Sequence, residues 1–231
     1  MKTLVFDLRG KIGHFRRPDT TAAHLTYPFI TRTALRGLVG SILGMEEFEG
    51  EAWTGIQLLA PVRTRAQELS LLGKGFVDNE GSSTFNRPTT VELVVNPHYR
   101  IYYQGDFVDE LEQMMIQHQS VYHTYLGSAF AITFPEYVAS MNLVDKTSDR
   151  WVECVTVVPE QAIMKLLPNE HRQYARASGI LHRYLGHRRF RGTVDVIYDV
   201  NGDDLTFEIQ SESSNDYRFC MLDAQRAVCL W

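Results

Sequence analysis

The sequence lacks any long hydrophobic run. No apolar stretch approaches the roughly 20 residues that a helix needs to cross a bilayer. The start, Met1 to Asp7, also lacks the apolar stretch and small-residue cleavage site of a signal peptide. We therefore expect a cytoplasmic protein without a membrane partner.

Cysteine is scarce, and the motifs of common metal and nucleotide sites are missing. There is no C-x-x-C pair, no H-E-x-x-H and no G-x-x-x-x-G-K-[ST]. The histidine pairs nearest to the helical spacing of metal ligands are five residues apart instead of four. We therefore expect no metal, no cofactor and three buried free thiols. The three cysteines are Cys154, Cys220 and Cys229.

Basic residues are outnumbered overall, with 23 Lys and Arg against 28 Asp and Glu. Two segments reverse this balance. Residues 1–44 hold seven basic residues against two acids, and residues 170–192 hold six against one. Because local potential steers ligands more than total charge does, these two basic islands indicate a localised anion-binding surface. The alternative is that their arginines pair with nearby acids on a solvated face.

Hydrophobic periodicity predicts the first elements. Residues 2–9 alternate with the period of a strand. Residues 31–44 place four aliphatic side chains on one face of a helix, with Thr31 or Thr33 as N-cap and Gly44 as the C-terminal stop.

Two glycines inside this helix need an explanation, because glycine weakens a helix. Gly37 and Gly40 are three residues apart and so lie on one side of the helix, which predicts close packing of the backbone against a neighbour.

The further predicted elements are strands at 55–62, 91–95, 99–103 and 129–134, a helix at 107–118, β-rich segments at 151–158, 194–200 and 205–210, and a basic, helical stretch at 168–185.

The order of these elements predicts an α+β fold. Residues 1–135 read strand, helix, strand, long hairpin, strand, helix, strand, which is the βαββαβ order of a ferredoxin-like (RRM-like) domain with one insertion. We expect an RNA-binding domain over 1–135, an inserted β-hairpin at about 63–90, and a mostly β C-terminal subdomain over 136–231.

The segment entering the first helix combines arginines with aromatic residues. A helix N-terminus offers free N–H groups and a positive dipole end to a phosphate. Phe15 and Tyr27 offer flat surfaces for unpaired bases, whereas we expect Phe29 in the core. The candidate RNA-binding residues of this segment are Lys11, His14, Arg16, Arg17, Tyr27, Arg32 and Arg36.

The predicted insertion at 63–90 has no clear apolar period, and a loop of this length is often functional. The run Gly73-Lys74-Gly75 permits close approach of the backbone to a phosphate. A flexible, solvated hairpin is the alternative. The candidate RNA-binding residues here are Arg63, Arg65, Lys74 and Arg87.

Two other functions remain open at this point. RNA cleavage without metal needs only a general base and a general acid, and His14, Tyr27 and Lys74 would serve if they converged. The basic islands would instead contact proteins if the chain were a scaffolding module. We assign no catalytic residue.

Several motifs resemble the Cas-five family, part of the RAMP group of ferredoxin-like RNA binders, and most closely its type I-B branch. The strong likeness covers residues 3–44, a weaker one reaches about residue 135, and the last third does not match. The motifs are Phe6-Asp7-Leu8-Arg9-Gly10, Gly13-His14-Phe15-Arg16-Arg17-Pro18, Thr26-Tyr27-Pro28-Phe29, the run from Arg32 to Gly44, Arg87-Pro88-Thr89-Thr90, Tyr99-Arg100-Ile101-Tyr102 and Tyr125-Leu126-Gly127.

The resemblance implies a non-catalytic subunit of a type I CRISPR Cascade complex, acting in antiviral defence. Such a subunit caps the five-prime handle of the crRNA, contacts the backbone and large subunits, and has target DNA as a further partner. A hairpin called the thumb would fall in 63–90. The type I-C branch cleaves precursor RNA with a Tyr, Lys and His set. This sequence has no adjacent Lys-His pair in the corresponding region, so cleavage is not expected.

Overall fold

The computed structural model describes residues 1–20, 22–73, 85–145, 150–187, 189–210 and 216–231. Within these ranges lie the helices α1 (Arg32–Leu43) and α2 (Val108–Ile116) and a short 3-10 helix, Glu160–Ala162. The other regular elements described are strands, so the predicted α+β class is confirmed.

The strands in chain order are β1 (Lys2–Arg9), β2 (Ile12–Gly13), β3 (Ala52–Leu58), β4 (Thr64–Gly73), β5 (Phe85–Val95), β6 (His98–Gly105), β7 (Glu136–Asn142), β8 (Val144–Asp145), β9 (Trp151–Cys154), β10 (Val158–Pro159), β11 (Ile163–Leu166), β12 (Tyr174–Tyr184), β13 (Phe190–Asp199), β14 (Leu205–Ile209), β15 (Arg218–Met221) and β16 (Arg226–Leu230).

The first sheet has the strand order β3-β6-β1-β7, and each neighbouring pair is antiparallel. Leu4, Phe6 and Leu8 of β1 belong to the same buried cluster as the apolar faces of α1 and α2. Val5 belongs to a second cluster on the other face. The alternation of residues 2–9 therefore serves a sheet that is covered on both sides, and the predicted strand is confirmed.

The C-terminal strands cover the face of this sheet opposite the helices. Cys220, Val228 and Leu230 pack with Val5 and Tyr102 in the second buried cluster. They come from a six-stranded sheet of order β11-β14-β9-β16-β15-β8. The described residues also form two three-stranded sheets, β10-β13-β12 and β2-β5-β4.

Helix α1 begins and ends as predicted. The Thr31 hydroxyl accepts from the Ala34 amide, and Gly44 closes the helix with φ of 76°, in the left-handed region. The packing prediction for the glycines is wrong at Gly37. A Cβ built there meets no atom within 4 Å, whereas one at Gly40 comes within 3.4 Å of the Met45 carbonyl oxygen.

Two predicted elements are wrong. Residues 129–134 form no strand, because a tight loop brings the Leu126 amide to the Ala131 carbonyl at 2.7 Å. The stretch 168–185 is not helical, because β12 pairs along its length with β13. The domain boundary after residue 135 stays a prediction, and β7, which follows it, pairs with β1.

The inserted hairpin is present in its described parts. β4 and β5 pair antiparallel from Thr64 opposite Val94 to Gly73 opposite Phe85. Lys74 lies outside the described residues, so the structure does not place this candidate.

All three cysteines are buried and free, as predicted.

Candidate nucleic-acid interface

A cleft of about 370 Å³ opens beside the first turns of α1. It is lined by the loop 14–18, by Tyr27 and Thr31 ahead of α1, by residues of α1 from Thr33 to Ser41, by residues 125–127 and by β12. Six of the lining residues are His14, Arg16, Tyr27, Thr31, Tyr125 and Leu181. Three of these six are predicted site residues, so the structure brings part of the predicted site together.

The positive end of α1 lies at this cleft. Thr31 and Thr33 line it, and their hydroxyl oxygens are 2.8 Å apart. The first turn of the helix carries no acidic residue. No carboxylate of that turn therefore competes with an incoming anion for the helix N-terminus.

The loop that faces α1 is held by its backbone. The Tyr27 amide donates to the Phe15 carbonyl at 2.8 Å, and the Arg17 amide donates to the Leu25 carbonyl at 2.9 Å. These bonds make the loop a short irregular hairpin. Its main chain is fixed by internal partners, and the side chain of Arg16 extends from it into solvent.

Gly127 lets the second wall of the cleft approach this loop. Its φ is +83°, and a Cβ built on it would lie 2.0 Å from the carbonyl oxygen of His14. The His14 amide also donates to the Leu126 carbonyl at 2.9 Å. Only glycine fits so close an approach with this backbone conformation.

His14 and Tyr27 meet at the cleft, and each has one side-chain polar atom engaged by a backbone carbonyl. His14 Nδ1 lies 2.7 Å from the Glu92 carbonyl oxygen, and the Tyr27 hydroxyl donates to the Gly179 carbonyl at 2.7 Å. Both residues are buried, and burial raises the pKa of Tyr27. They shape the cleft more than they offer groups to a ligand.

The aromatic surface at the cleft comes mainly from a residue that the sequence analysis missed. Phe15 and Phe29 are buried, and the expectation that Phe29 belongs to the core is confirmed. Tyr125 is 42% exposed and lines the cleft. The signal that could have found it was the motif Tyr125-Leu126-Gly127, whose glycine sets the close approach described above.

The predicted cations of the loop differ in their partners. Arg16 is exposed and makes one long hydrogen bond, 3.4 Å, to the Thr20 carbonyl. Arg17 is paired with Asp19 at 2.6 Å, and this hydrogen bond raises the pKa of Arg17. Lys11 is exposed, and its side chain has no hydrogen-bond or ion-pair partner among the described residues. Arg16, which lines the cleft, and Lys11, which directly precedes β2, are therefore the unpaired cations of this segment.

Arg32 and Arg36 are turned into the protein. Arg32 lies 3.0 Å from His182 Nδ1, donates to the Ala52 carbonyl, and stacks over the Trp231 ring. Burial lowers the pKa of Arg32 to about 10.

Arg36 is held in the same way. It donates to the carbonyls of Phe48 and Gly50 and lies between the rings of Phe48 and Tyr184. The phosphate-binding role of Arg32 and Arg36 stays a prediction. The contacts of these two arginines join α1 to β3, to β12 and to Trp231.

The hairpin β4–β5 carries the remaining candidates. Arg63 and Arg65 are exposed at its base and have no partners among the described residues. Arg87 is half-buried on β5. β5 also pairs with β2 at Gly13, so the hairpin base adjoins the loop that lines the cleft.

The two basic islands therefore consist of balanced and unbalanced charges. In the first, Arg9 pairs with Glu136 and Lys2 with Asp109 and Glu112. In the second, Arg172 pairs with Asp203, and Arg176 with Glu160 and Asp195. The unbalanced cations, exposed and without an ion-pair partner in the described ranges, are Lys11, Arg16, Arg183, Arg189 and Arg191.

Within the part of the chain that the structure describes, no three His, Cys, Asp or Glu side chains are grouped to bind a metal ion. No helix in that part is long and apolar enough to cross a membrane.

An exposed apolar surface lies next to the cleft. Seven large hydrophobic residues between 121 and 138 are at least 39% exposed: Val121, Tyr122, Tyr125, Phe130, Ile132, Phe134 and Val138. The stretch 113–135 contains no Asp, Glu, Lys or Arg, in a chain with 22% charged residues. We call residues 121–138 the apolar surface. Such composition is typical of the centre of a protein–protein interface.

Comparison with known proteins gives one family and a common fold. The family model described as CRISPR-associated protein (Cas_Cas5) matches residues 3–116. No curated protein is significantly similar to the chain. At 11% identity, the solved structures below show likeness of fold alone.

One is a CRISPR protein from Archaeoglobus fulgidus, with a TM-score of 0.57, covering 99% of this chain and 98% of that one. Another is a chain of a CRISPR RNA-guided surveillance complex, with a TM-score of 0.52, covering 93% of this chain and 95% of that one.

Proposed function

Because this chain belongs to the Cas5 family of CRISPR-associated proteins, we propose that it is a non-catalytic subunit of a type I Cascade complex that binds the five-prime handle of the crRNA. The observation that carries the proposal is the cleft, where the positive end of α1 and the exposed Arg16 meet the ring of Tyr125. Phosphates suit the first two groups, and an unpaired base suits the ring.

The cleft would lie on a ferredoxin-like unit. Apart from β2, β4 and β5, the chain order up to β7 is strand, helix, strand, strand, helix, strand. β6 lies between β1 and β3 in the sheet, as the split βαβ arrangement of such a unit requires. This topology supports the proposed relationship to RNA-binding domains of that class.

The hairpin β4–β5 would be the thumb of the family. Its base adjoins the cleft through the pairing of β2 with β5. Arg63 and Arg65 are exposed there and suit the phosphates of a strand that leaves the cleft. We propose that the RNA runs from the end of α1 over this base.

Apart from Tyr125, which we assign to the cleft, the apolar surface would receive a protein subunit of the same complex, and the backbone subunit is the partner we favour. A neutral, aromatic surface offers little to a phosphate backbone but much to an apolar protein surface. Replacing Phe130 and Phe134 by Ser should prevent assembly of the purified complex while leaving RNA binding by the chain intact. Assembly at the wild-type level would remove this surface from the proposal.

The RNA-binding proposal is tested by titrating the purified chain with a labelled, repeat-derived RNA at several salt concentrations. Removing Arg16 and Lys11 together (Arg16→Gln, Lys11→Gln) should weaken binding about tenfold or more, because charge-assisted phosphate contacts are lost. The salt slope should fall by about 0.7 for each lost contact.

The matched control removes two cations that do not line the cleft, Lys165→Gln and Arg226→Gln. Lys165 is exposed on β11, and among the described residues Arg226 forms its ion pair with Asp223 at the surface. This control should bind like wild type. Equal affinity of the cleft variant and wild type would contradict the proposal.

The endoribonuclease alternative has less support from the site. The Tyr27 hydroxyl donates to a carbonyl, and its raised pKa opposes ionisation. Incubation of the chain with repeat-containing precursor RNA and a chelator should leave the RNA intact. A defined cut that His14→Ala abolishes would establish cleavage instead.

A further inference from the structure

The hairpin β12–β13 carries three cations that the proposed site does not use. Arg183 lies on β12, Arg191 on β13 and Arg189 next to the turn, and all three are exposed. None has a hydrogen-bond or ion-pair partner for its side chain among the described residues. They lie in the second basic island of the sequence.

The strand register sets two of these cations directly against each other. Arg183 is opposite Arg191 in the β12–β13 ladder. Opposite residues of an antiparallel pair have Cβ atoms about 5 Å apart, and like charges there are destabilising. The isolated chain therefore holds an electrostatic repulsion that an anion between the two guanidinium groups would relieve.

At the other end of the same hairpin, an arginine is neutralised by nearby acids. Arg176 of β12 donates to Glu160 at 2.8 Å and to Asp195 at 2.6 Å. Glu47 and Glu49 lie near the turn, but neither forms an ion pair with Arg183, Arg189 or Arg191. Glu47 lies 3.8 Å from His187, and Glu49 lies close to Gly186.

The unbalanced end continues the cleft. Leu181 lines the cleft, and side chains at alternate positions of a strand share a face, so Arg183 follows Leu181 on that face about 7 Å further along. The opposite face of β12 is occupied by His182 and Tyr184, which contact Arg32 and Arg36 of α1. The hairpin is thus docked by one face on α1 and presents Arg183 and Arg191 on the other.

We infer that Arg183, Arg189 and Arg191 form a second phosphate-binding surface, for the phosphodiester backbone of the nucleic acid whose end lies in the cleft. This inference rests on the proposed function and extends its site from α1 to the far end of β12–β13. The same chemistry would suit duplex DNA, and the experiment separates the two sources.

The test uses the full chain and two labelled probes, a repeat-derived single-stranded RNA and a duplex DNA. The hairpin variant Arg183→Gln, Arg191→Gln is compared with the cleft variant Arg16→Gln, Lys11→Gln and with the remote control Lys165→Gln, Arg226→Gln. The hairpin variant should bind RNA about tenfold or more weakly, while the control binds like wild type.

Two further readouts separate binding from folding. The salt slope should fall by about 0.7 per lost contact with single-stranded RNA and about 0.9 with duplex DNA. The melting temperature of the hairpin variant should equal or exceed that of wild type, because the opposed charges are gone. A lower melting temperature would show that the arginines stabilise the fold, and would overturn the inference.

The remaining outcomes are distinct. If the hairpin variant bound only duplex DNA more weakly, the phosphate-binding surface would be supported and its ligand would be DNA. Wild-type affinity of the hairpin variant for both probes, with a weakened cleft variant, would overturn the inference and leave the proposed function standing. Wild-type affinity of the cleft variant for RNA would count against the proposed function instead.

Discussion

At the scale of single residues, the partners of each arginine decide its role. Arg16 and Arg32 both come from the first basic island, yet Arg16 extends into solvent while Arg32 is held by His182, Ala52 and Trp231. A cation already supplied with acceptors gains little from a phosphate and would have to give them up. We therefore expect changes at the two positions to act on different properties.

Arg32→Ala should lower the free energy of unfolding by about 2 kcal/mol, because it removes internal hydrogen bonds and the stacking over Trp231. Arg16→Gln should leave that free energy within about 0.5 kcal/mol of wild type, as an exposed side chain usually does. Urea denaturation of the two variants measures both values. Equal stability of Arg32→Ala and wild type would return Arg32 to the list of candidate ligand contacts.

A pH dependence follows from His182. Burial lowers its pKa, and the neighbouring Arg32 adds to the effect, while Asp216 partly opposes it. The unfolded chain, with an ordinary histidine pKa of about 6.5, takes up a proton that the folded chain resists. The contribution of His182 to stability is therefore present above about pH 6.5 and is lost as the pH falls below that value.

Comparison of wild type with His182→Asn isolates this contribution. Between pH 7.5 and 5.5 the free energy of unfolding of wild type should fall more than that of the variant. His24, whose pKa burial also lowers, is common to both proteins and cancels in the difference. Parallel pH profiles would contradict the assignment.

The sequence could predict which arginines exist but not which are free. The partners of Arg32 lie at positions 52, 182 and 231, and no spacing rule connects these to position 32. Arg17 was different in principle, since Asp19 is two residues away. Long-range pairing is a property of the folded chain, so only part of the predicted site could be right.

At the scale of elements, α1 has a position, Gly37, where a larger side chain would meet free space. Gly37 is exposed, lines the cleft, and has no atom within 4 Å of a built Cβ. Gly37→Ala should raise the free energy of unfolding by up to about 1 kcal/mol through helix propensity, without loss of RNA affinity. Gly37→Leu has similar propensity but fills the cleft, so RNA binding should weaken.

These two variants serve as each other's control, because both improve the helix and only one occupies the space. Thermal unfolding and RNA titration on the same preparations measure both effects. Equal RNA affinity of the alanine and leucine variants would show that the ligand does not enter this part of the cleft.

The elements themselves were predicted well where local signals agreed. The alternation of 2–9, and the cap and stop of α1, come from neighbours in the sequence. β12 was missed because its basic residues fit a solvated helix equally well, and its strand character comes from pairing with β13. β7 was missed because its partner, β1, lies far away in the sequence, with Asp7 opposite Glu136 and Lys2 opposite Asn142.

At the scale of the whole molecule, the C-terminal part supports the sheet that carries the site. Trp231 is fully buried, exchanges backbone hydrogen bonds with Thr54 of β3, and donates its indole N–H to the Val157 carbonyl. Trp231→Ala should lower the free energy of unfolding by about 3–5 kcal/mol. Trp151→Ala, at a 42% exposed position, is the control and should cost much less.

Denaturant unfolding of these two tryptophan variants tests how strongly the C-terminal part and the first sheet depend on each other. A small change in the free energy of unfolding for Trp231→Ala would mean that the first sheet holds the site without help from the C-terminal part. This coupling could not be predicted from the sequence, because the last third has no recognisable motif and its packing partners lie in the first half of the chain.

The central claim is that the RNA end lies in the cleft beside α1, and ultraviolet cross-linking tests it most directly. The chain or its complex is irradiated with bound guide RNA, digested, and examined by mass spectrometry. The account predicts nucleotide adducts on the peptide with Tyr125 and on the peptide that spans Lys11 to Arg17. Bound RNA whose adducts spare both peptides would contradict it.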